Sequence, residues 1–122
     1  MILVDTSVWI DHLRVGVPEL AELLDHGEVL MHPFVVGEIA CGNLANRRDM
    51  LRFLGALPMA PTARDEEVRL FVEGRRLMGR GLGYLDVHLL ASAVLICPAR
   101  FWTRDRRLAK AAVEFGIAFP LG

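Results

Sequence analysis

The chain has 122 residues, 53% of them hydrophobic, and a formal net charge of −1. That length fits one domain with one core, and the apolar content excludes a disordered chain. The longest apolar runs, such as Leu89 to Ile96, are too short to span a bilayer, and the near-neutral charge argues neither for nor against nucleic acid.

The N-terminus runs straight into Met1-Ile2-Leu3-Val4-Asp5 with no basic lead or small-residue cleavage site. No signal peptide is read there, and a cytoplasmic location is expected. Cys41 and Cys97 lie far apart and form no metal-type or redox-type pair, so both read as reduced thiols.

In chain order, Ile2 to Val4 reads as a buried strand, and Thr6 or Ser7 caps a short helix to about Leu13. Pro18 opens a helix with Leu20, Leu23 and Leu24 on one face, stopped by Gly27. Val29 to Met31 is a strand. Pro33 opens a helix to about Cys41, and Arg47 to Leu57 forms another. Pro58 to Pro61 breaks the chain around a brief strand. Arg64 to about Met78 is a long amphipathic helix ended by Gly79, Gly81 and Gly83. Leu85 to Ile96 is apolar nearly all round, hence a buried helix. Phe101 to Thr103 is a strand, Arg104 to Phe115 a helix, and Ile117 to Phe119 a last strand. This alternation predicts an α/β fold with right-handed crossovers and a mainly parallel sheet covered on both faces, in one domain over residues 1–122. Ligands in such sheets bind beyond the carboxyl ends of the strands.

Most acids sit on polar helix faces, and four do not. Asp5 ends the first strand. Glu38 interrupts the apolar Pro33-Phe34-Val35-Val36-Gly37-Glu38-Ile39-Ala40. Asp86 starts the buried helix, and Asp105 follows Phe101-Trp102-Thr103. An ionised carboxylate is costly to bury unless paired or on a metal, and Asp5, Glu38 and Asp86 have no lysine or arginine close in sequence. Carboxylates that meet repel each other unless a cation joins them, and hard oxygen donors suit Mg²⁺ or Mn²⁺. Taken singly, Asp5, Asp86 and Asp105 read equally well as helix caps, and Glu38 as half of an ion pair. Taken together, the four favour a metal site. An ion there polarises a phosphoryl oxygen and lowers the pKa of an attacking water. Thr6, Ser7 and Thr103 are supporting residues able to hydrogen-bond that water or the phosphate, although such hydroxyls more often cap helices. Trp9 and Trp102 read as core, and His12, His26, His32 and His88 show no ligand spacing.

Val4-Asp5-Thr6-Ser7-Val8-Trp9-Ile10, Gly37-Glu38-Ile39, Tyr84 to Ala93 and Trp102-Thr103-Arg104-Asp105 resemble, in order and spacing, the motifs of the PIN-domain family. His32 to Leu44 is particularly similar to bacterial VapC-type toxins of toxin–antitoxin systems. The resemblance covers essentially the whole chain. It implies a three-layer α/β/α fold around a five-stranded parallel sheet and an Mg²⁺- or Mn²⁺-dependent endoribonuclease. It implies Asp5 and Asp86 as chief metal ligands, with Glu38 and Asp105 matching the remaining acids. It further implies cleavage of transfer or ribosomal RNA, a homodimer, and a VapB-type antitoxin as partner. One position departs from many relatives, which carry an acid where this chain has Arg107. Arg104, Arg106 and Arg107 are candidate contacts to RNA phosphates or to an acidic group of the antitoxin.

A receiver domain is rejected because one acid, not two, ends the first strand. A P-loop enzyme and a dinucleotide-binding module lack their glycine signatures. A non-catalytic PIN-like binding module, and a PIN nuclease acting on DNA or in general RNA turnover without an antitoxin, remain open.

Overall fold

The computed structural model describes residues 1–120. Its elements are β1 (Ile2–Val4), α1 (Thr6–Val15), α2 (Pro18–Asp25), β2 (Val29–Leu30), α3 (Pro33–Ala40) and α4 (Arg47–Gly55). There follow α5 (Asp65–Arg75), α6 (Tyr84–Ala91), a π-helical turn (Ser92–Ile96), β3 (Arg100–Trp102) and α7 (Arg106–Glu114).

The sheet is parallel with strand order β2-β1-β3. All three residues of β1 are buried although their side chains alternate between faces. Helices therefore cover both sides of the sheet, as expected of parallel strands joined by helical crossovers. The chain moves from β1 to β2 on one side and then returns to place β3 on the other. The sheet thus has a topological switch point between β1 and β3, and the carboxyl ends of those strands are where ligands bind in sheets of this kind.

Three strands form where five are expected. At one edge Met59 makes a single parallel bridge to Met31, and at the other Ala118 makes one to Phe101. Each is a one-residue ladder: Met31 N–H donates to Pro58 O at 2.7 Å and Ala60 N–H to Met31 O at 2.7 Å. Phe101 N–H likewise donates to Ile117 O at 2.7 Å, and Phe119 N–H to Phe101 O at 2.9 Å. Pro58, Pro61 and Pro120 have no N–H with which to lengthen these pairings.

Helix boundaries differ where caps act. Asp5 caps α1, so that helix starts at Thr6 and runs on to Val15, where Gly16 takes a φ of +81°. α5 stops at Arg75 because Arg76 turns left-handed, short of the expected Met78. Asp105 caps α7, which begins at Arg106 rather than Arg104. The buried helix changes from α to π winding at Ser92, whose carbonyl accepts the Cys97 N–H at 2.8 Å. The core joins Leu3, Val4, Val8, Trp9, Leu20, Val35, Leu54, Leu89, Leu90, Phe101 and Leu108, all essentially inaccessible to solvent. Trp9 and Trp102 are both buried in it, as expected. No helix among the described residues is long and apolar enough to cross a membrane.

Candidate active site

The site at the carboxyl ends of β1 and β3 is built from the backbone outward. Val4 pairs with Trp102, and Asp5 N–H donates to Trp102 O at 2.8 Å, extending the ladder by one bond. Asp5 and Thr103 therefore emerge side by side at the carboxyl edge of the sheet. Three donors converge on Asp5 Oδ2: the Ser7 hydroxyl at 2.7 Å, the Thr103 hydroxyl at 2.8 Å and the Ser7 N–H at 3.4 Å. Ser7 Oγ also accepts the Arg104 N–H at 3.0 Å, and Thr103 Oγ1 accepts the Asp105 N–H at 3.0 Å. Asp5 itself is 5% exposed, so its orientation is fixed in a largely dry setting.

The other three acids arrive from separate helices. Thr6, next to Asp5, donates its hydroxyl to Glu38 Oε1 at 2.7 Å and ties α3 to α1. Asp86, in the first turn of α6, accepts the Gly83 N–H on Oδ2 at 3.2 Å. Asp105 accepts the Leu108 N–H on Oδ1 at 2.9 Å. The capping interpretation is thus correct in part: Asp5, Asp86 and Asp105 each use one oxygen on helix N–H groups, and that contact leaves the other oxygen free to act.

Electrostatics links the four. Burial raises the Asp86 carboxyl above the usual carboxylate range, against the Gly83 N–H, which lowers it. The negative charges of Asp5, Asp105 and Glu38 push it further up. None of the four has a lysine or arginine ion-pair partner among the described residues. Burial alone does not single them out, however. Asp5 is buried and Asp86 half-buried, whereas Glu38 and Asp105 are exposed. The expectation that Glu38 is hidden in an apolar helix is corrected: Val35 and Ile39 face the core, while Gly37 and Glu38 face out.

The donor set fits a hard divalent cation. It consists of carboxylate oxygens, half-oriented by protein donors, mutually repelling and without a protein cation. Among the described residues no group of three or more acidic, histidine or cysteine side chains stands close enough together to hold an ion as placed, so the fit rests on the chemistry of the donors.

Of the three candidate arginines, Arg104 is engaged by Asp11 at 2.8 Å, and Asp11 also holds Arg14 at 3.3 Å. Arg106 and Arg107 are exposed in the first turn of α7.

A second polar cluster lies behind α6 and was not legible as a unit. His88, 1% exposed, places Nε2 3.0 Å from Asp65 Oδ1, and Tyr84 donates its hydroxyl to the same oxygen at 2.8 Å. The His88 ring meets Phe34 and Tyr84 edge-on, at 4.9 and 4.7 Å between centroids. His32 accepts the Phe34 N–H on Nδ1 at 3.0 Å, so its Nε2–H faces Ser92 Oγ at 3.1 Å. Burial, and secondarily the charge of His88, lowers His32 to about 4. Asp65 reads in sequence as a polar residue at a helix start, and only the fold brings it to His88.

Three comparisons bear on identity. A family profile described as PIN domain matches residues 2–114. Ribonuclease VapC32 of Mycobacterium tuberculosis, in strain CDC 1551 and in strain H37Rv, is 48% identical over 118 residues. The match covers 97% of this chain and 95% of the relative. The crystal structure of PAE2754 from Pyrobaculum aerophilum superposes with a TM-score of 0.57 over 94% of each chain, at 16% identity, and shares the fold. With a family match over nearly its whole length and the acids gathered at the β1/β3 switch point, the chain belongs to the PIN-domain family.

Proposed function

We propose that this chain, acting as one PIN domain, is a divalent-metal-dependent endoribonuclease and the toxin of a VapBC-type toxin–antitoxin pair. One observation carries the reading: Asp5 and Asp105 are joined through Thr103 at the carboxyl end of β1 and β3, Thr6 ties Glu38 beside them, and none of these acids nor Asp86 has a lysine or arginine partner among the described residues. The likeness to ribonuclease VapC32 supports RNA as substrate.

In this reading Asp5 and Asp86 hold Mg²⁺ directly, with Mn²⁺ as a substitute, and Glu38 and Asp105 hold it through water. The ion supplies a polarised phosphoryl oxygen and a bound water of lowered pKa for attack on the phosphodiester. The protein's part is positional. Ser7 and Thr103 fix Asp5 by one oxygen, Thr6 fixes Glu38, and the Gly83 N–H fixes Asp86. Glu38 and Asp105 accept hydrogen bonds from water in the crevice and keep it oriented. Transfer or ribosomal RNA at a structured loop is the proposed target. A homodimer held in check by a VapB-type antitoxin is the proposed assembly.

The test is a transcriptome-wide map of new RNA ends in cells expressing the chain, set against Asp86→Asn at equal soluble protein. Discrete ends in one or a few RNAs, present only with the unmutated chain, are expected. Identical maps would overturn the ribonuclease assignment.

A further inference from the structure

The loop Gly79-Arg80-Gly81-Leu82-Gly83 leads into α6 and ends on the N–H that holds Asp86. α7 grips this loop at two points. Glu114, in the last turn of α7, pairs with Arg80 at 2.6 Å. Arg107, in the first turn, lies across the bare face of Gly81. A Cβ built on Gly81 would stand 2.9 Å from both Cδ and Cζ of Arg107, with Nη1 closer still. Gly81 also has a φ of +77°, a region that favours glycine. The glycine thus leaves a notch, and the arginine stem fills it.

The guanidinium held there has no acid partner and no hydrogen-bond acceptor among the described residues. Arg104 is committed to Asp11 and Arg80 to Glu114, whereas Arg106 shares with Arg107 the lack of a partner among the described residues but has no seat like the Gly81 notch. Arg107 lies in the first turn of α7, which Asp105 caps, and Gly81 lies in the loop whose Gly83 N–H holds Asp86, so the contact joins the two segments that carry these acids. A polyanion approaching a crevice of carboxylates is repelled unless a fixed cation meets its backbone. Arginine suits that task because its planar fork binds phosphate oxygens bidentately.

We propose that Arg107, seated in the Gly81 notch, is a phosphate-binding residue that holds the RNA backbone beside the scissile bond. The proposal rests on the ribonuclease reading above. It distinguishes a positioned arginine from a merely positive surface, because Gly81→Ala displaces the side chain while keeping its charge.

The experiment measures cleavage of a substrate RNA, and binding of that RNA by the inactive Asp86→Asn protein, over a salt series. Arg107→Ala, Arg107→Lys, Gly81→Ala and Gly79→Ala are compared. Gly79 has a φ of +71° with nothing within 4 Å of its built Cβ, so Gly79→Ala imposes similar backbone strain without touching Arg107. Arg107→Ala and Gly81→Ala are expected to raise KM about tenfold with kcat at saturation largely kept. Arg107→Ala should reduce the slope of log affinity against log salt by about 0.7, one single-strand phosphate contact. Lysine should restore part of the affinity, and Gly79→Ala should match the unmutated chain. Cleavage with an unchanged KM in both Arg107→Ala and Gly81→Ala would overturn the role of Arg107 and leave the nuclease standing. Unchanged RNA affinity with loss of inhibition by the antitoxin would overturn it in favour of a protein contact. No RNA cleavage by the unmutated chain would overturn both readings.

Discussion

Asp86 and His88 lie two residues apart on α6 and face opposite kinds of surroundings. His88 is buried and paired on one nitrogen: Asp65 takes its Nε2, Tyr84 shares the same carboxylate oxygen, two aromatic rings meet its edge, and Nδ1 has no hydrogen-bond partner among the described residues. Asp86 is half-buried among like charges, with one N–H for company. A polar cluster of opposite and complementary groups contributes to stability through the bonds it does make. One whose members repel costs stability until a cation joins them. The helix therefore has a face that holds the fold and a face that is held in an unfavourable state by the fold.

The comparison breaks first at Asp86. Asp86→Asn should lower RNA cleavage on the order of 10²–10³-fold, as expected when a group that stabilises the reacting phosphate is lost. The same change removes a repelling charge, so the metal-free variant should melt higher than the unmutated chain, at roughly 2–8 °C for each kcal/mol relieved. Kinetics and thermal melts on the two proteins check both halves. His88→Ala should do the reverse. It leaves a cavity and is expected to cost about 2–4 kcal/mol in urea unfolding, with cleavage per folded molecule reduced far less than by Asp86→Asn.

The two regions also answer pH with opposite signs. His32 is held at about 4 when folded and returns to 6.5 when unfolded, so the unfolded chain takes up the proton first. Its contribution is full above pH 6.5 and falls by roughly 2–3 kcal/mol as pH drops to about 4. Protonation of Nδ1 would also break its bond from the Phe34 N–H. His32→Gln should flatten that part of a stability–pH curve. Asp86 is raised when folded, so its contribution in the metal-free protein is greatest below the ordinary carboxylate range and is lost as pH rises through its raised value. The smallest effect is expected at Asp105: Asp105→Asn keeps an acceptor for the Leu108 N–H, so denaturant unfolding should shift by less than about 0.5 kcal/mol.

The strand and helix order was legible from apolar runs and from Pro18, Pro33 and Gly27. Asp5 and Asp105 were legible because strand ends in a parallel sheet are the place to look for polar residues. The outer strands were legible in place, within Pro58–Pro61 and at Ile117–Phe119, but not in extent: Met59 and Ala118 pair through one residue each, which no pattern distinguishes from a longer strand. Glu38 was found for a reason that does not hold: an apolar-looking helix with an exposed edge imitates a buried one over a single turn. The Asp65–His88 pair and the Arg107–Gly81 contact join segments more than twenty residues apart, and local spacing carries no trace of them.

The most direct measurement is a thermal-melt titration with Mg²⁺ of the unmutated chain and of Asp86→Asn. The acid crevice predicts a melting temperature that climbs with Mg²⁺, reaching about 2.7 kcal/mol of added stability at a hundred times Kd, and little or no shift in the variant. Equal shifts in both proteins, or none in either, would contradict a metal site built on Asp86.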